Sequence, residues 1–144
     1  MTQINRSALV PFSASQMFRL VDDIAAYPEF LPWCCSSKIH ERGENQVSAS
    51  LELKKAGMHK TFSTVNYNQP GKMIEMRLLD GPFKHLEGFW RFHSLSDSAC
   101  KVSLDIEFEF SNRILDMTLG PVFGQICNSL VEAFVQRAKD IYGK

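Results

Sequence analysis

The spacing of apolar and polar residues predicts three short elements at the start of the chain. Residues 3–10 have the pattern of a strand that ends at Pro11, because proline lacks the N–H that a strand ladder uses. Apolar residues then recur at helical spacing, which predicts an amphipathic helix over residues 13–23 with Ser13 as its N-cap. A second short helix is expected over residues 24–30.

The middle of the chain, residues 33–110, alternates apolar and polar residues one by one. Such alternation is typical of antiparallel strands that bury one face and expose the other. Turns rich in glycine and proline divide this region into six strands, so the sheet would have about seven with the N-terminal one. The clearest run of apolar positions is Val102, Leu104, Ile106, Phe108 and Phe110.

The last segment, from Asn112 to Tyr142, returns to helical spacing. At 1.5 Å per residue it would span roughly 45 Å, which is long enough to cross a whole sheet. Gly120 and Pro121 are expected to kink or split it near its start. We therefore predict an α+β fold, as one domain over residues 1–144, in which a curved antiparallel sheet wraps around a long C-terminal helix.

Composition excludes several classes of protein. Of the 144 residues, 44% are hydrophobic, which argues against disorder. The chain has 16 basic and 16 acidic side chains, and this balance of charge argues against a surface that binds DNA. The chain has no secretory signal pattern and no unbroken apolar run of membrane-spanning length, so we expect a cytoplasmic protein. Its four cysteines form no Cys-x-x-Cys pair and are expected to be reduced thiols.

The sequence contains no motif that argues for catalysis. It has no His-Glu-x-x-His, no phosphate-binding loop and no Gly-x-Ser-x-Gly. His85 and Glu87 share a strand face with Arg91 and His93, and that face is expected to be solvated. The prediction is therefore a protein that is not an enzyme, with no metal site and no required cofactor.

Five segments carry a family likeness, at residues 8–22, 27–33, 80–90, 105–110 and 133–138. They resemble the START-like superfamily of polyketide cyclases and lipid-transport proteins, and within it the coenzyme Q-binding branch and its bacterial members. The resemblance implies a helix-grip fold with an apolar cavity that binds a polyisoprenoid quinone such as ubiquinone, in support of respiration. For bacterial members it also implies a toxin that binds the large ribosomal subunit and blocks subunit association.

Candidate cavity residues follow from which strand and helix positions face inward. Any one of them could equally be ordinary core, and the ambiguous parity of residues 60–67 leaves Phe62 and Thr64 unassigned. The predicted wall consists of Leu51, Ile74, Met76, Trp90, Leu104, Ile106, Phe108, Phe123, Ile126, Leu130 and Phe134. The predicted rim or lid consists of Tyr27, Phe30, Trp33, Pro82 and Phe83, with Phe83 exposed in its turn and with at most transient contact to a membrane surface. Residues 27–33 could instead be a rigid corner that packs the small helices on the sheet, and residues 81–84 an ordinary turn.

One hairpin tip carries three lysines, Lys54, Lys55 and Lys60. It is either a solvated turn or a candidate contact to the phosphates of ribosomal RNA, which point cations engage without reading sequence. The sequence thus leaves two hypotheses, a quinone carrier and a ribosome-binding inhibitor of translation. A cyclase or hydrolase is disfavoured because the predicted inward positions are almost wholly apolar.

Overall fold

The computed structural model describes residues 1–143 and contains seven strands and three α-helices. The order of elements matches the predicted one, with a single 3-10 turn, Ile24–Ala26, between the first two helices. The strands are β1 (Thr2–Val10), β2 (Cys34–Arg42), β3 (Gln46–Lys55), β4 (Met58–Gln69), β5 (Met73–Asp80), β6 (Phe83–Ser96) and β7 (Ala99–Phe110). The helices are α1 (Ala14–Asp22), α2 (Tyr27–Phe30) and α3 (Arg113–Tyr142).

All seven strands form one antiparallel sheet in the order β1-β7-β6-β5-β4-β3-β2. Five of the neighbouring pairs are joined by hairpins. The remaining pair is formed by β1 and β7, and it runs from Thr2 opposite Phe108 to Val10 opposite Cys100. The apolar residues face the concave side, where α3 packs against β1 and β7. The predicted sheet wrapped around a C-terminal helix is confirmed.

The start of α1 is fixed by a reciprocal pair of hydrogen bonds. The Gln16 backbone N–H donates to Ser13 Oγ at 3.1 Å, and the Ser13 backbone N–H donates to Gln16 Oε1 at 2.8 Å. This capping box satisfies two donors that would otherwise lack partners at the helix end. The predicted N-cap is therefore confirmed, whereas the predicted second helix is divided into the 3-10 turn and the single turn of α2.

Helix α3 is continuous over 30 residues, so of the two outcomes predicted at Gly120 and Pro121, a kink or a split, the split does not occur. Pro121 lies on the exposed side, where the carbonyl that loses its partner can meet water. An 18-residue window of α3 reaches a mean hydropathy of 1.2, so its composition would suffice to cross a membrane. A core helix passes the same test, and here Phe123, Ile126 and Phe134 are buried against the sheet.

Phe83 is buried, not exposed as its turn sequence predicted. Its ring stacks on Phe110 with centroids 4.5 Å apart and lies 5.1 Å from Phe123 and 5.6 Å from Phe62. Phe83 is the first residue of β6 and pairs with Phe110, and a register shift between Phe83 and His85 interrupts the alternation, so Phe83 faces the same side as Leu86 and Trp90. An aromatic cluster therefore fills the end of the concave face near this turn.

Candidate functional site

A cavity of about 80 Å³ lies between the concave face of the sheet and α3. It is partly open, and its wall is mostly apolar. The aromatic cluster around Phe83 closes one end of the concave face, which leaves the space beside Trp90 and Phe134 unfilled. The cavity is smaller than the roughly 300–1,000 Å³ of typical ligand pockets.

Eight of the eleven predicted wall residues line this cavity, and three do not. The eight are Leu51, Met76, Trp90, Ile106, Phe123, Ile126, Leu130 and Phe134. The others, Ile74, Leu104 and Phe108, are at most 1% exposed and belong to the packed core. Phe108 is in edge contact with Phe123, at 4.7 Å between centroids, so no space remains beside it. Alternation identifies which residues face inward, but it does not identify which of them border the cavity.

Of the five predicted rim residues, Tyr27 and Trp33 line the cavity and the others do not. Phe30 packs on Phe134, with centroids 5.3 Å apart, outside the cavity wall. Phe83 is in the aromatic cluster, and Pro82 is half-buried in the turn before it. The two segments therefore do not form a common rim.

Three cavity residues on β4 were not predicted, namely Phe62, Thr64 and Asn66. The β3–β4 hairpin has a two-residue turn, in which Ala56 and Gly57 both adopt positive φ. With Lys55 opposite Met58, such a turn sets Leu51 opposite Phe62, so the inward face of β3 determines that of β4. The remaining unpredicted lining residues are Ile24, Ala49, Leu53, Leu86, Gly88 and Cys127.

Among residues 1–143, the side chains that line the cavity include few polar groups and no carboxylate, imidazole or ammonium group. The Tyr27 hydroxyl donates to the Val21 carbonyl, and burial raises the pKa of Tyr27. Burial also raises the pKa of the Cys127 thiol. The Thr64 hydroxyl donates to Asn66 Oδ1 at 3.0 Å. No lining side chain therefore has the pKa near 7 that suits general acid–base catalysis.

The three candidate RNA contacts do not share one face. Strand alternation places Lys55 and Lys60 on the cavity side of the hairpin, where both are half-buried, and Lys54 on the convex side, where it is exposed. Beside Lys54, His59 Nε2 lies 2.6 Å from Glu52 Oε2. Hydrogen bonds from His59 and Ser36 lower the pKa of Glu52. The hairpin tip is thus a mixed-charge surface, not a uniformly basic one.

A cluster of one imidazole and two carboxylates lies on the convex face. Ligand atoms of His85, Glu87 and Glu107 are within 4.8 Å of one another. His85 Nε2 lies 3.0 Å from Glu107 Oε1, and Arg77 Nη2 lies 3.6 Å from Glu87 Oε1, so each member already has a partner. The cluster is separated from the cavity by the sheet itself.

Comparison with known sequences decides the family. The sequence profile described as polyketide cyclase / dehydrase and lipid transport matches residues 10–135. The chain belongs to this family. A relative named ribosome association toxin RatA, from Vibrio cholerae, is 50% identical over 100% of both chains. A protein of the same name from Pseudomonas aeruginosa is 46% identical over 99% of both chains.

A more distant relative and two solved structures are also similar to this chain. The coenzyme Q-binding protein COQ10 homolog B of Xenopus laevis is 27% identical over 99% of this chain and 60% of its own length. The solution structure of an 18 kDa protein from Caulobacter crescentus matches all of both chains with a TM-score of 0.78 and 30% identity. The crystal structure of the Zhui aromatase/cyclase from a Streptomyces species matches 96% of this chain and 93% of that chain with a TM-score of 0.85 and 18% identity.

Proposed function

We propose that this protein binds a hydrophobic small molecule in the cavity between the sheet and α3, and that the ligand is a polyisoprenoid quinone of the ubiquinone type. The observation that carries the proposal is the unfilled, mostly apolar space beside Trp90 and Phe134. Membership of a family that includes lipid-transport proteins supports it, as does similarity to a protein named for coenzyme Q binding.

The size of the cavity sets a condition on binding. A quinone with its isoprenoid tail needs more than about 80 Å³, so part of the wall must move when the ligand enters. Leu51, Met76 and Leu130 are only half-buried and can change rotamer at little cost. Burial of the tail gains about 25 cal/mol per Å² of apolar surface, which favours this widening.

We further propose that binding is not followed by a covalent reaction. The cavity wall supplies hydroxyl, amide, thiol and indole groups, and the pKa values of its Tyr27 and Cys127 groups are raised away from neutral pH. Acid–base or nucleophilic chemistry would require a group of lower pKa. In the described part of the chain, the imidazole–carboxylate cluster lies on the opposite face of the sheet. The protein would need no cofactor besides its ligand.

The quinone proposal is tested by filling the cavity. Delipidated protein is titrated with decylubiquinone, and binding is followed by quenching of tryptophan fluorescence, since Trp33 and Trp90 line the cavity. Leu130→Trp should weaken binding at least tenfold, whereas Leu95→Trp, at an exposed position, should leave it unchanged. Absence of binding by the unaltered protein, or equal binding by both variants, would contradict the proposal.

A second candidate function is binding to the large ribosomal subunit with inhibition of translation. It rests on the relatives of 46–50% identity that are named ribosome association toxin RatA. This role would place the protein in the cytoplasm and would use its surface, so it does not exclude a ligand in the cavity. We propose Lys54 as the contact to ribosomal RNA, because it is the exposed member of the three lysines.

Co-sedimentation with purified large subunits at increasing salt tests this second function. Binding that involves phosphate contacts should weaken as salt rises. Lys54→Glu should weaken binding more than Lys60→Glu, because Lys60 is half-buried on the other face of the hairpin. Equal sedimentation of both variants and the unaltered protein would show that this hairpin is not the contact.

A further inference from the structure

One of the residues that line the cavity, Asn66, has a buried polar side chain although its neighbours on the adjacent strands are apolar. Asn66 is 8% exposed, and it is the one buried polar side chain among residues 1–143. Its cross-strand neighbours on β3 and β5 are Val47 and Met76, which are apolar. Burial of an amide in apolar surroundings is unfavourable unless its hydrogen-bonding groups find partners.

Within the protein, Asn66 is only partly satisfied. The Thr64 hydroxyl donates to its Oδ1 at 3.0 Å, and because the two residues are two positions apart on β4, both face the cavity. Across residues 1–143, Asn66 Nδ2 donates no hydrogen bond. Its two N–H groups are therefore available to a molecule in the cavity.

We propose that Asn66, oriented by its hydrogen bond with Thr64, is the anchor, that is, the residue that binds the oxygen-bearing head of the ligand. This hydrogen bond to the head would make the protein prefer such a ligand over a hydrocarbon of similar size. This inference rests on the proposed function and names the residue that gives it specificity. A ring carbonyl would accept a hydrogen bond from Asn66 Nδ2, and the tail would lie along the apolar wall. The ligand class is therefore a lipid with a carbonyl or hydroxyl group on its head, such as a quinone.

The same pair suits both redox forms of a quinone. A hydroxyl group can donate or accept, so Thr64 can pair with either end of the Asn66 amide. With Thr64 donating to Oδ1, the amide presents its N–H groups to a carbonyl. With the amide rotated by half a turn, Nδ2 donates to Thr64, and Oδ1 accepts from the hydroxyl of the reduced ring. The anchor thus selects for oxygen on the ring without selecting its oxidation state.

Two probes with the same tail test the anchor. Decylubiquinone has two carbonyls, two methoxy groups and a methyl group on its ring, and decylbenzene has none of them, so only decylubiquinone offers oxygen acceptors. Binding of both is measured by titration calorimetry with the unaltered protein and with Asn66→Leu and Thr64→Val. Asn66→Leu should weaken decylubiquinone about tenfold and leave decylbenzene unchanged or tighter. Thr64→Val keeps the shape of the side chain and should weaken decylubiquinone by a smaller factor.

An infrared measurement separates an anchor from a structural role. The carbonyl stretch of bound decylubiquinone should lie at lower frequency in the unaltered protein than in Asn66→Leu, because a hydrogen bond weakens the C=O bond. Equal weakening of both probes, or an unshifted carbonyl band, would overturn the inference while leaving the proposed function intact. If the unaltered protein binds neither probe, the proposed function fails and the inference fails with it.

Discussion

Gly81, in the turn before β6, is held in a conformation that only glycine adopts easily. Its φ is 150°, and a Cβ atom there would lie 2.6 Å from the Cβ of Phe62. Both the backbone and the neighbouring side chain would have to shift if the residue were larger. Gly81 therefore allows β4 to approach the turn and completes the aromatic cluster.

We expect Gly81→Ala to lower the free energy of unfolding by about 1–3 kcal/mol, since it combines backbone strain with a steric clash. Urea unfolding would measure the change. Gly124→Ala is the matched control, because a Cβ at Gly124 meets no atom within 4 Å and the site is helical. It should be neutral or stabilising, and equal effects of the two substitutions would exclude this explanation.

The four cysteines differ in accessibility. Cys35 is exposed, whereas Cys34, Cys100 and Cys127 are buried. Burial raises the pKa of Cys34 to about 11, so little of its reactive thiolate forms at pH 8. A thiol reagent such as dithionitrobenzoate should modify one cysteine rapidly in the folded protein at pH 8. Cys35→Ser should abolish this fast phase, and a second fast thiol would contradict the packing around Cys34.

At the scale of secondary structure, the capping box of α1 tests how a local sequence signal contributes to stability. Ser13→Ala removes the acceptor of the Gln16 N–H and should lower stability by about 1 kcal/mol. The urea midpoint should fall with an unchanged dependence on denaturant concentration. Ser15→Ala, at an exposed position inside α1, is the control and should cost nothing.

The elements themselves could be predicted because their signals are local. Apolar periodicity gave the helices and strands, and Ser13 and Asn112 are N-caps in the structure. Helix α3 is not split at Pro121, because the proline lies on the exposed side of α3, which the position of a proline in the sequence does not reveal. The sequence leaves the parity of β4 open, and the register of the preceding hairpin would have resolved it. On β6, the register shift after Phe83 reverses the alternation, which is why Phe83 is buried although its turn sequence predicted exposure.

At the scale of the whole molecule, the location of the cavity could not be predicted from the sequence. Alternation placed Leu104 and Phe108 on the concave face, and both are there, yet packing against the rest of the core leaves no space beside them. Which inward residues border an empty volume depends on how α3 crosses the sheet. That path is set by contacts between residues far apart in the chain, and periodicity carries no information about them.

Helix α2 is held against α3 by a small cluster at the protein surface. The guanidinium of Arg137 lies 4.8 Å from the centre of the Phe30 ring, and Arg137 Nη2 lies 3.4 Å from Glu29 Oε1. Tyr27, which precedes these residues in α2, lines the cavity. Loss of Arg137 should therefore make α2 separate from α3 more readily.

Hydrogen exchange can detect this separation without any ligand. The Leu31 amide donates to the Tyr27 carbonyl at 3.0 Å, so its protection reports on α2. Arg137→Ala should speed exchange at Leu31 several-fold, because a cation–π contact is worth about 0.5–1 kcal/mol at an exposed site. Lys139→Ala, at an exposed position of α3, should have no effect. Unchanged protection of the Leu31 amide in Arg137→Ala would show that Arg137 does not hold α2 against α3.

The pairing of β1 with β7 has a consequence for biosynthesis. β1 leaves the ribosome before the other six strands described, and it must wait for Phe108, the partner of Thr2, before this edge of it is covered. The concave face stays uncovered still longer, because α3 is made after all seven strands. Contacts between residues so far apart in the sequence slow folding, and until they form, the exposed apolar surface can cause aggregation. Newly made chains should therefore depend on chaperones until α3 has been made and has packed on the sheet.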